Sequence, residues 1–279
     1  MVRALQHGIC LLCLFITFVS CRKDRAGVVD NKAINAADEL VETLPPIQVP
    51  IVLRINDAFG GFYSAVPAHY TQTTKNYPLL IFFHGAGQLG NGSNDLPFVL
   101  NDGVAHLINR KKIPASFTVK GKNYSFIVLS PQFNRYPTNE EINSFISYAS
   151  QAYRVDSSRI YMSGLSMGGF ITSNFAADYP TAVAAIVPIS GELNIGDPRS
   201  ANIARGSLPV WVFHNNGDPS INSFQATSFI DMINSFGPTS PARLTMFVSN
   251  IHDAWSQATD PAYKENGMNM YEWMLQYTR

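Results

Sequence analysis

The 279-residue sequence predicts an α/β architecture: a mostly parallel, eight-stranded sheet with helices on both faces. Three observations predict it. Short, continuous apolar runs of the kind that form strands buried on both faces recur along the chain. Stretches with helical periodicity separate them. One serine, Ser166, sits where such a run meets such a stretch, in Gly164-Leu165-Ser166-Met167-Gly168-Gly169.

The elements follow in order. Residues 51–56 and 61–67 read as an opening antiparallel pair, turned at Asp57-Ala58-Phe59-Gly60. Residues 79–83 form an unbroken apolar run, and 126–130, 160–163, 185–189, 210–213 and 244–248 repeat the style. Helical patterns cover 97–109, 139–153, 169–178, 223–235 and 263–277. Eight strands, the first two forming a hairpin, are the plan of the α/β-hydrolase fold. In that plan a lid is often inserted after the sixth strand. Here the segment 190–208 is short, polar and Gly/Pro-containing, with no amphipathic helix, so no large lid and an open site are expected.

The N-terminus has a separate task. Arg3 precedes an apolar stretch from Ile9 to Val19, closed by Phe18-Val19-Ser20-Cys21. A charged start, a short apolar core and a small residue before the cut read as an export signal, since a membrane span needs about 20 apolar residues. The ending resembles a bacterial lipoprotein signal. It implies that residues 1–21 are the signal, that Cys21 is lipidated, and that the protein is exported and anchored in the cell envelope. Phe18 stands where leucine is usual in that motif. Polar residues 22–50, with Pro45-Pro46, read as a flexible tether, with a short helix expected near 38–43. The catalytic domain is then 51–279. All three cysteines, Cys10, Cys13 and Cys21, lie in the signal segment, so the domain has no thiol for a disulfide or a nucleophile. Twenty Lys and Arg balance twenty Asp and Glu, which leaves no basic field to attract nucleic acid. No H-E-x-x-H or similar ligand spacing is present, so neither metal nor other cofactor is expected.

The strand–turn–helix setting of Ser166 gives its glycine-rich motif meaning as a nucleophile elbow, which holds a hydroxyl above the sheet. Reactive groups in such sheets lie beyond the carboxyl ends of the strands. Asp218 stands just past the strand 210–213, in His214-Asn215-Asn216-Gly217-Asp218-Pro219, and His252 just past the strand 244–248. The order serine, acid, histidine is that of the fold. His252 is the expected base, and Asp218 its orienting carboxylate. Asp253, adjacent to His252, is a rival that would have difficulty reaching the far ring nitrogen. Phe82-Phe83-His84-Gly85-Ala86-Gly87 ends the strand 79–83 and is expected to supply the Ala86 amide to an oxyanion hole, with Met167 supplying the other. His84 precedes the serine and is expected to support that loop through hydrogen bonds.

These segments together resemble bacterial carboxylesterases related to feruloyl esterases and polyhydroxyalkanoate depolymerases, a group also labelled predicted peptidases. Phe83 to Asn91 is similar to the group's glycine loop, Leu129-Ser130-Pro131-Gln132 to its "APQ" element, and His252-Asp253-Ala254-Trp255 to its "HDAW" segment. The chain departs from the group with Gln88 where Glu is common, and with Asn215-Asn216 in the acid turn. The resemblance implies a serine carboxylesterase that works through an acyl-enzyme. An open site on a lipid-anchored protein suits acetyl or feruloyl esters carried on polysaccharides. Gln132, Glu192 and Trp255 are the candidate substrate contacts. Two alternatives stay open: a serine peptidase of the prolyl-oligopeptidase kind, and a non-catalytic binding lipoprotein.

Overall fold

The computed structural model describes residues 39–193, 196 and 198–279. The expected signal segment, Cys21 and the tether up to residue 38 lie outside the described residues.

Eight strands make one sheet: β1 (Ile47–Ile51), β2 (Phe59–Val66), β3 (Tyr77–Phe83), β6 (Ile127–Phe133), β7 (Val155–Leu165), β8 (Ala185–Ile189), β9 (Trp211–Asn215) and β10 (Arg243–Phe247). Their spatial order is β1-β2-β6-β3-β7-β8-β9-β10. β1 and β6 each pair antiparallel with β2, and every other pairing is parallel. A separate hairpin, β4 (Phe117–Val119) and β5 (Lys122–Tyr124), is closed by Lys120 and Gly121. Both turn residues have positive φ, as a two-residue hairpin turn requires.

Alternation along the strands divides the interior into two cores. Leu79, Ile81 and Phe83 face one side of the sheet, while Leu80 and Phe82 face the other. The first core packs against α2 (Asn139–Ala152), α3 (Met167–Asp178), α4 (Ser200–Arg205) and α5 (Phe224–Ser235), through Phe145, Phe175, Ile203 and Phe229. The second packs against α1 (Gly103–Asn109) and α7 (Met270–Met274), through Val104, Leu107, Tyr271 and Trp273. A sheet covered on both faces must consist of nearly continuous apolar strands, and these do. α2 starts with Thr138 accepting from the Glu141 amide while the Glu141 carboxylate returns to the Thr138 amide. α6 (Trp255–Ala258) is a single turn following the histidine segment.

Several expected boundaries differ. The first strand is 47–51 rather than 51–56. Val52 and Leu53 are exposed, while Asn56 caps the Ala58 and Phe59 amides and holds the chain in a turn. Residues 47–50 therefore belong to the sheet and not to a tether. The fold reaches back further still: Glu42 is buried and its carboxylate accepts from the amide of His69 and pairs with its Nδ1 at 2.8 Å. Of the helix expected near 38–43, only Glu39 is helical among the described residues. The expected helix 97–109 is two pieces, a 3-10 segment Leu96–Asn101 and α1, separated by extended Asp102. At the C-terminus, only Met270–Met274 of 263–277 is α-helix. The segment after β8 does contain a short helix, α4. Its buried Ala201, Ile203 and Ala204 attach it to the body, so it does not cover the site as a lid would. Among the described residues, no helix is long and apolar enough to cross a membrane.

Candidate active site

Ser166 occupies the turn between β7 and α3 with φ 51° and ψ −115°, a strained conformation for any residue with a Cβ. The crowding behind it explains the glycines. A Cβ on Gly168 would lie 2.2 Å from the Phe83 carbonyl oxygen, so the first turn of α3 can press directly onto β3 only without one. Ser166 is the N-cap residue of α3, yet its side chain makes no capping bond. Such a cap contributes typically about 1 kcal/mol. The hydroxyl instead meets His252 Nε2 at 2.8 Å.

Three loops converge there. His252 follows β10, and its Nδ1 lies 2.7 Å from Asp218 Oδ2. Nδ1–H therefore donates to the carboxylate, leaving Nε2 to accept the Ser166 hydroxyl proton. The Asp218 side chain is fully buried, and its other oxygen accepts from the Ser220 and Ile221 amides at 2.8 and 3.0 Å. Burial opposes the charged form. The His252 hydrogen bond, the two amides and the imidazole charge outweigh it, so the carboxyl is held below its ordinary range. Asp253 takes no part in this arrangement; its carboxylate accepts from the Ser256 amide and hydroxyl in the first turn of α6.

Met167 is the first residue of α3, so its amide has no acceptor within the helix. Ala86 opens the short 3-10 segment Ala86–Gln88, and its amide is equally free of an acceptor within that turn. The two run close together: a Cβ on Gly85 would sit 3.6 Å from the Ser166 Cβ. His84 underpins this loop. Its ring stacks on Phe133 at 3.8 Å, Nδ1 lies 2.7 Å from the Gly85 carbonyl, and Nε2 accepts from the Phe133 amide. Burial pushes its pKa down to about 4.

Gln132 is a correction to the sequence reading. Its side chain is fully buried and does not line an open site. Its Nε2 donates to the Gln88 and Asp95 carbonyls at 2.9 and 2.7 Å, and its Oε1 accepts from the Gly92 amide at 2.9 Å. It braces the loop that carries Ala86. Glu192 is exposed just beyond β8. Trp255 stands edge-on to His252, with ring centroids 5.1 Å apart, and its indole N–H donates to Asp102.

Two supporting residues escaped the sequence reading. Gln88 accepts from the Gly85 amide and donates to the Phe98 carbonyl; an ionised Glu at that buried place could not donate. His214 is wholly buried behind the acid, with Nε2 3.0 Å from the Ile221 carbonyl and 3.4 Å from Asp218 Oδ2. Burial lowers its pKa, against the raising effect of the Ile221 carbonyl and the Asp218 charge. Gln88, read in the sequence as a departure from the group it resembles, was the available signal for the first. For the second, only proximity in the sequence to Asp218 pointed there.

An α/β-hydrolase sheet with serine, imidazole and carboxylate aligned beyond its strand ends defines the class. Residues 67–264 match the phospholipase/carboxylesterase family, and the chain belongs to it. A stretch of 89 residues, 32% of the chain, is 29% identical to a bifunctional acetylxylan esterase/xylanase of Neocallimastix patriciarum, and spans 13% of that longer protein. The fold is similar to that of a ferulic acid esterase (TM-score 0.56, 17% identity, 76% of this chain and 93% of that one). It is similar too to the feruloyl esterase module from Clostridium thermocellum, solved with sinapinate (TM-score 0.55, 15% identity, 76% and 85% covered).

Proposed function

We propose that the protein is a serine carboxylesterase. The observation that carries this reading is the continuous hydrogen-bonded line Ser166 Oγ–His252 Nε2, His252 Nδ1–Asp218 Oδ2, at 2.8 and 2.7 Å. Ser166 Oγ attacks the ester carbonyl carbon while its proton passes to His252 Nε2. The carbonyl oxygen becomes an oxyanion, received by the Met167 and Ala86 amides, each worth about 3 kcal/mol in the transition state. Collapse of the adduct breaks the bond to the alcohol oxygen, which leaves with the proton from His252. Water, deprotonated by the same imidazole, then attacks the acyl-enzyme, and the carboxylic acid departs as Ser166 regains its proton. Asp218 stabilises the imidazolium in both halves and stays ionised, in keeping with its lowered pKa.

The substrate class follows as part of the proposal: acetyl or feruloyl esters borne on polysaccharide. The lack of a covering lid among the described residues, and relatives named for acetylxylan and ferulic acid esters, support it. Trp255 beside the imidazole and exposed Glu192 are the proposed contacts with the bulky alcohol portion. Export and lipid attachment at Cys21 complete the reading on the strength of the N-terminal sequence. The test is release of acetate or ferulate from xylan, xylo-oligosaccharides and pectin, with Ser166→Ala as control. Cleavage of aryl acetates alone would remove the polysaccharide assignment; hydrolysis undiminished by Ser166→Ala would remove the esterase mechanism. Membrane fractionation of wild type against Cys21→Ala tests the anchor, and equal retention of both would refute it.

A further inference from the structure

We infer that Asn215 is a positioning residue for His252. With Asn216 it forms a polar clasp that sets the histidine loop against the acid turn. The inference deepens the esterase reading and rests on it.

The loop carrying His252 has little of its own to hold it. Val248 is 94% and Ile251 56% exposed, and Asn250 is exposed, so burial of side chains does not fix the path from β10 to the imidazole. Hydrogen bonds to the neighbouring turn do. Asn215, 1% exposed at the end of β9, donates from Nδ2 to the carbonyl of Ile251 at 2.8 Å. That carbonyl belongs to the peptide entering His252. One residue on, the Asn216 amide donates to the Phe247 carbonyl, and Asn216 Oδ1 accepts from the Ser249 amide at 3.0 Å. The Gly217 amide then donates to the Ser249 carbonyl at 3.0 Å. A Cβ on Gly217 would fall 3.1 Å from the Ser249 carbonyl oxygen and against the Asn250 side chain, so the two loops run in close contact there. Asp218 follows immediately. The residues that hold the acid and the residues that hold the base are therefore one hydrogen-bonded unit.

Geometry sets the expected size. A misplacement of about 1 Å at a catalytic group can cost about 10²-fold in rate. Asn215 ties the sheet to an exposed loop, so replacing it frees the loop rather than the core. Stability should change little while alignment suffers, and a purely structural residue would show the reverse.

The test uses the full-length protein and three variants. Asn215→Ala removes the carboxamide, and Asn215→Leu keeps about its size with no group that can donate to Ile251. Asn216→Ala, at an exposed position, leaves the core untouched and remains informative if either Asn215 variant fails to fold. Both Asn215 variants are expected to lower kcat about ten- to hundredfold, with KM within about twofold of wild type and native circular dichroism. Asn216→Ala should give a smaller fall. Proton NMR supplies a readout independent of turnover: the low-field Nδ1–H resonance of His252, hydrogen-bonded to Asp218, should shift or broaden in every variant. Wild-type kcat with an unmoved resonance in the folded variants would overturn the inference; should both Asn215 variants fail to fold, wild-type kcat and an unmoved resonance in Asn216→Ala would overturn it. Absence of hydrolysis by the wild type would defeat the esterase reading instead, while leaving the resonance to judge the clasp.

Discussion

His84 should make the protein lose stability in mild acid, by an amount its surroundings define. The imidazole is buried with a partner on each side. Nδ1–H is directed to the Gly85 carbonyl, and Nε2 accepts the Phe133 amide. A second proton would have to displace that amide, inside a site that already disfavours charge. The folded pKa is accordingly about 4, against an ordinary 6.5. Between those values the unfolded chain holds a proton that the folded chain does not, so stability falls as pH falls. The contribution is intact above pH 6.5 and fully lost below pH 4. Integrated from pH 7.5 to pH 5, the loss is about 2 kcal/mol. Burial depresses the pKa of His214 as well, which adds a loss of the same sign. Urea denaturation followed by fluorescence of buried Trp211 and Trp273 measures the change. In His84→Gln, whose side chain does not titrate, the drop between pH 7.5 and pH 5 should be smaller by about 2 kcal/mol than in wild type. Equal drops in the two proteins would refute the neutral, doubly bonded imidazole.

Further outcomes follow from the same contacts. Ser166→Ala should lower kcat for p-nitrophenyl acetate by about 10⁴- to 10⁶-fold with native circular dichroism, because binding and the oxyanion amides alone remain. Asp218→Asn should cost about 10⁴-fold, since a neutral amide favours the wrong imidazole tautomer; the comparison is made on kcat at saturating substrate. Gln132→Leu would leave the Gly92 amide and the Gln88 and Asp95 carbonyls without that partner, and should destabilise by about 3 kcal/mol in thermal or urea unfolding. Trp255→Ala should raise KM for a polysaccharide ester more than for an aryl acetate, read from paired Michaelis–Menten curves.

The central strands were legible because a sheet covered on both faces writes itself as unbroken apolar runs. Ala185–Ile189 matches its expected bounds throughout. The edge was not. In β1, Ile47 and Val49 are largely exposed and Pro50 interrupts the pattern, so pairing with β2 decides the register, not burial. The C-terminal apolar residues suggested one long helix; Asn266 and Gly267, at φ 53° and 81°, break it before α7 begins. At the site, strand order and spacing marked Ser166, Asp218 and His252 as residues that could meet. The role of Gln132 was not legible, since whether a glutamine at a strand end faces solvent or braces a loop forty residues earlier depends on tertiary packing. Asn215 and Asn216 were visible as departures. Their purpose emerges only where β9 and β10 lie side by side.

The most direct test of the account is covalent labelling with a fluorophosphonate, located by peptide mass spectrometry and compared with hydrolysis of p-nitrophenyl acetate in the same sample. One adduct per chain, on Ser166, with activity falling in step, is the expected result. An adduct elsewhere, or hydrolysis that survives full modification of Ser166, would contradict it.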